Sequence, residues 1–517
     1  MKTISKRLAI PAIVFTLVLA ACAPGASVQS RMPSDTPGEA GPSTAADPYA
    51  EPVSITITTR GTPGSLGVPR TEEIHKRIAK EKWNIDLNYE LIDKNVYTDQ
   101  ITAKFAAGDY PNIFYYGEAK LIQAAIDGGV ILPVTKAMED PVYDAVDRDA
   151  YFKQWYQNGE YYGFSYHCSA AEPINLRGDW LKNLGLSVPS NPAELYDTLV
   201  AFTKNDPDKN GKDDTFGIAI QGDLGDAGQL WTQFLPAVRS SPASNVGLYL
   251  DRDSNSIKTI LTEADAANVK DALAWFSGLY KEGAIDPEYI TLKQQDVEAK
   301  FVSGFAGAWD KVVGGLPPAL AKLQASVPEA EIIAMPPVTN PYGSTNYDMV
   351  AYKTDYYFIT TSIPDVDRGL DFLLWRFSPE GIYTEVYGEE GVEYELSNGE
   401  FKWLDEEAQK TSSPATIITR FLPTVEFLEK VPVVEAALEA ADGYNRFAKD
   451  VPSFAVRSDL YLSKSADIDK IMLEGVSEII VGQKPVDYYD SLLAEVRAYG
   501  VDDIAAEVNA VFQAASN

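Results

Sequence analysis

The stretch YYGFSYHCSAAEPINLRGDWLKNLGL, residues 161–186, decides the predicted fold. It begins as an aromatic run typical of a β-strand and passes through small polar residues. It then enters a short amphipathic helix at residues 179–184, which Gly185 ends. One block of strands and helices precedes this stretch, and another follows it. We therefore interpret it as the crossing between two lobes, and a cleft between lobes is a common place for a ligand site.

The block before the crossing has the order β-α-β-α-β. Alternating apolar residues predict strands at 54–58, 85–91 and 112–116. A helix at 71–82 and a second helix that ends at Gly108 separate these strands. This order predicts an open, mostly parallel sheet, in which ligands bind beyond the C-terminal strand ends. Loop 59–66 and the residues Tyr115, Tyr116 and Glu118 are thus expected at the mouth of the cleft.

The block after the crossing is longer. Its pattern predicts strands at 215–220, 332–335 and 346–361, and helices at 192–204, 262–283, 366–377, 424–441 and 466–481, before two helical pieces that Gly500 separates. A chain of 517 residues is longer than chains that fold around a single hydrophobic core, so more than one domain is expected. The predicted organisation is a signal segment at 1–21, a flexible tether at 22–52, a first lobe at 53–165, a second lobe at 166–345, a return to the first lobe at 346–425, and a mainly helical part at 426–517 that packs on the second lobe.

Acidic residues dominate the charge of the chain. It carries 75 Asp and Glu against 44 Lys and Arg, for a formal charge of −31. Nucleic acids and anionic membrane surfaces need a cationic face, so neither is an expected partner. We interpret the acidity as a means of keeping an exported protein soluble, and capture of a cationic ligand is the alternative.

The first residues have the features of an export signal. Lys2, Lys6 and Arg7 form a basic end, and the apolar stretch at 8–19 is too short to span a bilayer comfortably. The sequence LAAC at 19–22 resembles a bacterial lipobox, which implies cleavage before Cys22 and a lipid on its sulfur. An ordinary signal peptide that contains a cysteine is the alternative.

Cys168 is the only other cysteine, so a lipidated chain has no intrachain disulfide. It could act as a catalytic thiol with His167 beside it. Adjacent residues on an extended chain point in opposite directions, however, and make a poor pair of nucleophile and base. We therefore interpret Cys168 as a buried structural residue.

Five segments, in order, resemble the extracytoplasmic solute-binding lipoproteins of bacterial carbohydrate ABC importers, in the large group that binds oligosaccharides. FAAGDYPN at 105–112 is similar to the family's "aGdlPDi". YGF at 162–164 with LRGDWLKNLG at 176–185 resembles "Y-G-x-P … R-x-D-W-L-x-x-L-G", with Ser165 where Pro is usual and Gly178 where Lys is usual. FVSG at 301–304 with Gly307 resembles "F-x-x-G-x-x-G". YGEEGVEY at 387–394 resembles "Y-G-x-E-G-x-x-Y". Gly482 with DYYD at 487–490 resembles the closing segment.

The resemblance implies an α/β fold of the periplasmic-binding-protein-like type II class. Two lobes, each with a mostly parallel sheet flanked by helices, would enclose a cleft, and the chain would cross the hinge several times. The family binds sugar between the lobes and delivers it to a membrane permease without chemical change. A monomer on the outer side of the cell membrane is expected.

A sugar offers apolar C–H faces that stack on aromatic rings, and hydroxyls that need donors and acceptors. Aromatic residues at strand ends, beside Asp, Glu and Arg, are therefore the candidates for binding it. They are Tyr115, Tyr116, Tyr166, Glu172, Arg177, Trp231, Trp309, Asp310 and Tyr347. Trp309 is the leading candidate because glycines precede it and Asp310 follows it. Arg177 could instead pair with a neighbouring carboxylate.

The sequence DPDKNGKDD at 206–214 matches D-x-D-x-[DN]-G, the front half of an EF-hand loop. Side-chain oxygens of Asp206, Asp208 and Asn210, the carbonyl of Lys212, and Asp214 would be the ligands. The twelfth position is Gly217, so the usual bidentate Glu is missing. The resemblance implies a structural calcium, since relatives carry one in a similar loop. An Asn-Gly turn with solvated charges is the alternative.

Two other functions stay open. A glycoside hydrolase or lyase needs only two carboxylates, but no motif singles out a pair. With His75 and His167 as the only histidines, a Ser-His triad or a catalytic zinc site is not expected. A peptide-binding lipoprotein of similar fold is the second alternative.

Overall fold

The structure is a computed structural model of the chain. It describes residues 49–61, 68–93, 96–115, 118–139, 155–165, 173–222, 224, 228–235, 241–251, 254–311, 315–336, 338, 340, 349–350, 356–398, 400–412, 447–448 and 455–516. Met1–Ala50 is a unit separate from Glu51–Asn517, and all that follows concerns the second unit. The predicted signal segment with Cys22 and the predicted helix at 424–441 lie outside the described residues.

The described strands are, in chain order, β1 (Val53–Arg60), β2 (Ile85–Ile92), β3 (Ile113–Tyr115), β4 (Tyr156–Gln157), β5 (Glu160–Tyr161), β6 (Phe164–Ser165), β7 (Ile174–Arg177), β8 (Phe216–Ile218), β9 (Leu248–Asp251), β10 (Ser256–Thr259), β11 (Ala306–Asp310), β12 (Ile332–Ala334), β13 (Met349–Val350), β14 (Tyr356–Ile359), β15 (Tyr394–Ser397), β16 (Glu400–Trp403) and β17 (Phe447–Ala448).

The described α-helices are α1 (Val68–Trp83), α2 (Tyr97–Ala107), α3 (Ala119–Asp127), α4 (Gly178–Leu184), α5 (Pro192–Lys204), α6 (Gly228–Thr232), α7 (Ala266–Lys281), α8 (Gln294–Val302), α9 (Leu316–Gln324), α10 (Val366–Phe377), α11 (Pro379–Tyr387), α12 (Glu406–Thr411), α13 (Asp459–Ile480), α14 (Tyr488–Tyr499) and α15 (Val501–Ser516). None of the helices in the described ranges is both long enough and apolar enough to cross a membrane.

The first sheet has five strands in the order β2-β1-β3-β14-β6. β1 pairs in parallel with β2 and with β3, as the β-α-β-α-β pattern predicts. β14 is antiparallel to both of its neighbours, so it is the one strand of this sheet that runs in the reverse direction. The alternating residues of β1 explain its place, since Ile55 and Ile57 point into the core and are 1% and 0% exposed.

The second sheet has four strands in the order β12-β7-β11-β8. β11 and β8 are parallel, and β7 is antiparallel to both β11 and β12. β7 is therefore the reversed strand here. Gly307, in the middle of β11, lies against two aromatic rings: a Cβ added to it would lie 2.2 Å from Phe202 and 2.8 Å from Trp180. This close approach explains why a glycine stands in the strand.

Each sheet has its own hydrophobic core. The core of the first sheet contains Trp155, Phe114 and Phe358. The core around the second sheet also takes in the C-terminal helices, because Met472 and Val508 belong to it together with Phe276 of α7. Lys270 of α7 adds ion pairs to Asp487 and Asp490 near the start of α14.

Several predicted elements differ in detail from those observed. The first helix begins at Val68 rather than at Thr71, and Pro69 lies in its first turn, where a proline costs no hydrogen bond. The strand predicted across 346–361 is divided into β13 and β14, and residues 351–355 lie outside the described part. Helix α7 begins at Ala266, four residues after the predicted start at Thr262, and Thr262 Oγ1 accepts from the N–H of Asp265 at 3.1 Å in the turn before it.

Candidate ligand-binding site

The reversed strands show which sheet edges the chain connects. β6 ends at the carboxyl edge of the first sheet, and the next strand, β7, enters the second sheet at Ile174. Because β7 runs opposite to its neighbours, Ile174 pairs with Asp310 at the carboxyl end of β11. β12 then ends at this edge, and the following strand of the first sheet, β14, enters beside Tyr115 at the carboxyl end of β3. Both connections therefore join the two carboxyl edges, where ligands bind in sheets of this type.

Tyr115 lies at the carboxyl edge of the first sheet and is held on several sides. Its backbone carbonyl accepts a hydrogen bond from the hydroxyl of Tyr97 at 2.7 Å. The ring of Tyr357 meets its ring edge-on, with 5.4 Å between the centroids. The guanidinium of Arg60, the last residue of β1, lies 4.7 Å from the centre of the Tyr115 ring. The orientation of Tyr115 is thus fixed by neighbours from two other strands and a helix.

The hydroxyl of Tyr115 is an unusual group at this edge. Tyr115 is 4% exposed, and in the part of the chain that the structure describes its hydroxyl oxygen is buried without a hydrogen-bond partner. The neighbouring hydroxyls are engaged, since Tyr97 donates to a carbonyl and Tyr357 lies 3.4 Å from Thr59 Oγ1. A buried hydroxyl without a partner is costly, which makes this group stand out among the described residues.

A buried polar cluster supports this edge from behind. The guanidinium of Arg376 lies 5.0 Å from the centre of the Tyr357 ring and 3.7 Å from a carboxylate oxygen of Glu385. Glu385 also lies 3.6 Å from Nε2 of His75, whose Nδ1 is 2.6 Å from the hydroxyl of Tyr89. Burial raises the pKa of the Tyr89 hydroxyl, which therefore stays protonated. These contacts hold Tyr357 against Tyr115.

Trp309 and Asp310 form the carboxyl edge of the second sheet. Trp309 is 3% exposed, its ring packs against Phe301 at 5.2 Å, and Lys311 Nζ lies 5.0 Å from its centre. The buried amide of Asn175 donates to the carbonyls of Trp309 at 3.2 Å and of Lys311 at 2.9 Å. These bonds fasten the start of β7 to the end of β11, and they fix the backbone where Asp310 and Lys311 leave the sheet.

Two predicted ligand residues lie elsewhere. Trp231 is 0% exposed, donates from Nε1 to the carbonyl of Leu224 at 3.0 Å, and packs on Phe276 at 4.4 Å. It is thus a core residue with no free ring face. Arg177 stands at the opposite end of β7, paired in register with Ile332, the first residue of β12. Neither position favours the predicted role in ligand binding.

Arg177 has the alternative role that its sequence context allowed. It is 1% exposed, and its Nε and Nη2 donate to the carboxylate of Asp179 at 2.9 and 2.6 Å. Its guanidinium also stacks 4.7 Å from the centre of the Trp180 ring. These two parallel hydrogen bonds from the guanidinium to the carboxylate of Asp179 join the end of β7 to the first turn of α4. Arg177 therefore has a structural role.

The other predicted site residues lie outside the described residues. They are Tyr116, Tyr166, Glu172 and Tyr347, and the same holds for His167 and Cys168. Of the nine predicted ligand residues, the structure thus places Tyr115 on one carboxyl edge, and Trp309 and Asp310 on the other.

The predicted metal loop folds around its acidic side chains. The carboxylate of Asp206 accepts from the backbone N–H groups of Asn210 at 3.0 Å and Gly211 at 3.1 Å. The amide nitrogen of Asn210 lies between carboxylates and donates to Asp208 at 2.8 Å and to Asp214 at 3.1 Å. Burial raises the pKa of the Asp208 carboxyl, and the nearby Asp206 and Asp214 raise it further, against the bond from the Asn210 N–H. A cation here would offset this repulsion.

The loop leads into β8, and Phe216 at the start of β8 pairs with Ala306 at the start of β11. It is therefore at the opposite sheet edge from Asp310. Across the described residues, no three His, Cys, Asp or Glu side chains are arranged to hold a metal ion. The oxygen-rich side chains fit calcium in their chemistry, but the Asn210 amide would have to turn its oxygen toward the carboxylates.

Sequence reasoning did not single out Arg60, Tyr97 or Tyr357. Arg60 falls in the loop predicted at the cleft mouth, and its position at the end of a strand just before Gly61 was the one available signal. Tyr357 lies in the predicted strand at 346–361. Its contact with Tyr115 depends on β14 being reversed, which no local pattern reveals.

Comparisons with known proteins complete the description of the site. The family model described as bacterial extracellular solute-binding protein matches residues 65–382. The chain is 22% identical to "Lipoprotein LipO" of Bacillus subtilis (strain 168) over 469 residues, which cover 86% of this chain and 89% of the relative. It is 24% identical over 449 residues to the "Polygalacturonan/rhamnogalacturonan-binding protein YtcQ" of the same strain, with 84% and 86% covered.

A solved structure shares the fold. The alginate-binding protein AlgQ2, solved without calcium ion, superimposes with a TM-score of 0.64 at 20% identity, over 90% of this chain and 98% of that one. The two-sheet α/β architecture is therefore the periplasmic-binding-protein-like type II fold that the sequence motifs predict.

Proposed function

Because this chain belongs to the family of bacterial extracellular solute-binding proteins, we propose that it is the substrate-binding component of an ABC-type importer. It binds a sugar or oligosaccharide non-covalently between the carboxyl edges of its two sheets and delivers the ligand to a membrane permease. The relatives that the chain matches are named for binding rather than for catalysis, which favours a binding protein over an enzyme.

One observation carries this proposal: both described connections between the sheets join the edges that hold Tyr115 and Asp310. A ligand between these edges touches both halves of the molecule. Aromatic rings lie next to charged groups on each edge, with Arg60 on Tyr115 and Lys311 on Trp309. Sugars need this combination because their rings stack on aromatic side chains and their hydroxyls bind polar ones.

The names of two relatives support a carbohydrate ligand. One is named as a polygalacturonan/rhamnogalacturonan-binding protein, and the other as an alginate-binding protein. The family description and the lipoprotein relative also support an extracytoplasmic location. For this chain we propose cleavage before Cys22, a lipid anchor on that cysteine, and a monomeric protein.

We further propose that the loop at 206–214 binds a structural calcium ion. Asp206, Asp208, Asn210, Asp214 and the carbonyl of Lys212 would hold it, and the ion would neutralise the crowded carboxylates. The raised pKa of Asp208 supports this proposal, because burial and then the nearby Asp206 and Asp214 disfavour its charge, and a shared cation would offset both. The ion would lie at the sheet edge opposite to the sugar.

The function is tested with the full mature protein and three panels: neutral oligosaccharides, acidic oligosaccharides and short peptides. Ligands that bind only the folded state raise its melting temperature, so the panel that gives the shift identifies the ligand class. Chromatography of the same mixtures after incubation shows whether the sugar is intact. A shift with peptides alone would favour the peptide binder, and cleaved sugar would favour a glycoside hydrolase or lyase.

A matched pair of variants locates the site. Asp310→Asn removes one charge at the carboxyl edge of the second sheet, whereas Asp490→Asn removes one on the surface of α14, where it pairs with Lys270. We expect the first variant to lose about 10-fold or more in sugar affinity, because a hydrogen bond to a charged group is lost. The second should bind like the parent protein. Equal affinities for both variants would place the sugar elsewhere.

A further inference from the structure

The loop at 206–214 is closed by hydrogen bonds among its own residues, all of which belong to the described part of the chain. Asp206 accepts from the backbone N–H groups of Asn210 and Gly211, at 3.0 and 3.1 Å. The side-chain oxygen of Asn210 accepts from the backbone N–H of Lys212 at 2.7 Å. These bonds fix the fold of the loop on both sides of Asn210.

The amide nitrogen of Asn210 lies between two carboxylates of this loop. It is 2.8 Å from Oδ2 of Asp208 and 3.1 Å from Oδ1 of Asp214. A side-chain amide has two N–H donors, so one donor is available for each carboxylate. Hydrogen bonds to an ionised acceptor are stronger than those between neutral groups. The amide therefore lowers the repulsion between the two carboxylates, which is also what a shared cation would do.

The orientation of the Asn210 amide follows from its three neighbours. The oxygen and the nitrogen of a side-chain amide are told apart by the hydrogen bonds around them. With the amide turned over, its nitrogen would face the N–H of Lys212, and its oxygen would face the carboxylates of Asp208 and Asp214. Donor would then meet donor, and acceptor would meet acceptor. The network of bonds within the loop thus holds the amide in one orientation.

A calcium ion requires the other orientation. Calcium is bound by oxygen atoms, so Asn210 becomes a ligand only when its side-chain oxygen has turned toward the carboxylates. The amide then loses its hydrogen bonds to Asp208 and Asp214. In agreement, no three His, Cys, Asp or Glu side chains of the described residues are arranged to hold a metal ion, although Asp206, Asp208 and Asp214 share this loop.

We propose that the Asn210 amide is a built-in substitute for the calcium ion: it holds the loop closed when no ion is bound and has to be displaced before the ion binds. This inference rests on the proposed calcium site, and it names the residue that regulates that site. The loop folds with or without metal. Its affinity for calcium is lowered by the amide, because only the minor state with the amide turned over is competent to bind.

The experiment compares the full mature protein with its Asn210→Asp variant, each in chelator and in calcium. An aspartate has no donor for Asp208 and Asp214, so the melting temperature in chelator should fall. The variant also adds a carboxylate to the ligand set, and the charge of the ligands tunes the affinity of such loops. Calorimetry should therefore show calcium binding that is about 10-fold tighter or more. The variant is thus less stable than the parent without calcium and gains more from it.

Asn205→Asp is the matched control. It adds the same charge one residue before the loop, at the end of α5, and its side chain takes part in none of the bonds described above. A charge at this helix end affects stability equally with and without calcium. The calcium affinity should change by less than about 2-fold, because salt screens a charge outside the ligand set.

Nuclear magnetic resonance of the parent protein gives a second reading that does not depend on the stability of a variant. The pair of side-chain amide signals that is missing from the spectrum of calcium-loaded Asn210→Asp belongs to Asn210. In chelator these hydrogens should exchange slowly with water, because both are bonded to carboxylates. Calcium should shift the signals and speed the exchange. Fast exchange in chelator would show that the amide does not hold the loop closed.

The outcomes separate this inference from the proposed calcium site. An unchanged melting temperature of Asn210→Asp in chelator, or an unchanged calcium affinity, overturns the inference and leaves the calcium site of the parent intact. Calcium binding by Asn210→Asp alone supports the inference, since the amide then keeps the ion out, and overturns a resident calcium in the parent. Failure of both proteins to bind calcium overturns the calcium site and the inference with it.

Discussion

The carboxylate of Asp469 accepts a hydrogen bond from the backbone N–H of Val246 at 2.7 Å, and Val246 has a left-handed backbone with φ of 56°. Its neighbours Asn245 and Gly247 are left-handed as well, with φ of 51° and 59°. A β-branched residue rarely adopts this conformation. Asp469, within α13, also accepts from the N–H of Asn245 at 3.0 Å, so a single carboxylate holds the strained turn.

The first prediction concerns the pH dependence of stability that Asp469 causes. Burial raises the pKa of its carboxyl to about 6, against the two backbone N–H groups that lower it. The folded state then binds a proton more tightly than the unfolded state, so the stability contribution is complete below pH ~4 and is lost as the pH rises to about 6. Relative to Asp469→Asn, the parent protein should lose up to about 3 kcal/mol of unfolding free energy between these limits.

Urea unfolding at a series of pH values checks this prediction, with the difference between parent and variant as the quantity of interest. Asp467→Asn, on the exposed side of the same helix, is the matched control and should follow the parent at every pH. Parallel curves for the parent and Asp469→Asn would show that the carboxylate does not titrate in this range.

The second prediction concerns a bond between the two cores. Arg457 follows the core residues Ala455 and Val456, and its Nη1 donates to the carbonyl of Tyr156 at 3.3 Å, beside Trp155 of the first core. Burial lowers the pKa of the Arg457 guanidinium to about 10, against the attraction of Asp127. Arg457→Met removes the bond and the cost of the buried charge together, so the unfolding free energy should change by less than about 1 kcal/mol.

The restraint between the two halves should nevertheless be lost in Arg457→Met. Small-angle X-ray scattering without ligand should give a larger radius of gyration than that of the parent, because the halves are freer to separate. Arg457→Lys keeps a donor and should lie between the two. An unchanged scattering curve for the Met variant would mean that the bond does not restrain the halves.

The third prediction separates stability from ligand binding at Arg177. Arg177→Met leaves the buried carboxylate of Asp179 without its partner, and breaking such a pair costs about 3–5 kcal/mol. Sugar affinity, measured below the melting temperature, should be unchanged because Arg177 is at the sheet edge away from Asp310. The double variant Arg177→Met with Asp179→Leu should recover much of the stability. A fall in affinity for the single variant would restore Arg177 as a ligand residue.

The fourth prediction concerns removal of the metal from the loop at 206–214. Protein treated with a chelator should gain about 3 kcal/mol of unfolding free energy when calcium is added at roughly 100 times its dissociation constant. The affinity for calcium should decrease as the pH is lowered. The raised pKa of Asp208 means that this carboxylate takes up a proton at a higher pH than an ordinary aspartate does. Calorimetry measures the binding directly.

Two variants control the calcium experiment. Asp208→Asn should abolish most of the gain, whereas Asp213→Asn, which alters a loop residue outside the predicted ligand set, should retain it. Absence of heat on adding calcium, together with an unchanged melting temperature, would leave the loop as a turn with solvated charges.

Much of the fold could be predicted from local patterns. Helix α10 has its predicted bounds, and Gly108 and Gly185 end their helices in left-handed conformations because only glycine adopts these at no cost. The parallel order of β1 and β3 follows from the helices between them. The reversal of β7 and β14 could not be predicted, since it depends on which sheet edge the chain enters.

The site was harder to predict because it depends on burial and on distant partners. Trp231 and Trp309 both belong to hydrophobic cores, yet Trp309 also stands at the carboxyl end of its strand, which no local pattern reveals. The place of Arg60 in the site depends on its contact with Tyr115, a residue of another strand. Periodicity shows which face of an element is apolar, but it does not show which elements meet.

The reversed strands β7 and β14 connect ligand specificity to the segments that link the two halves in proteins of this architecture. The segments that link the halves begin at the same strand ends between which we propose that the sugar binds. A substitution at these strand ends that changes which ligand is bound therefore also changes the residues to which the linking segments are attached. Ligand specificity and the relative movement of the two halves are therefore coupled, and an evolutionary change in one is expected to require a compensating change in the other.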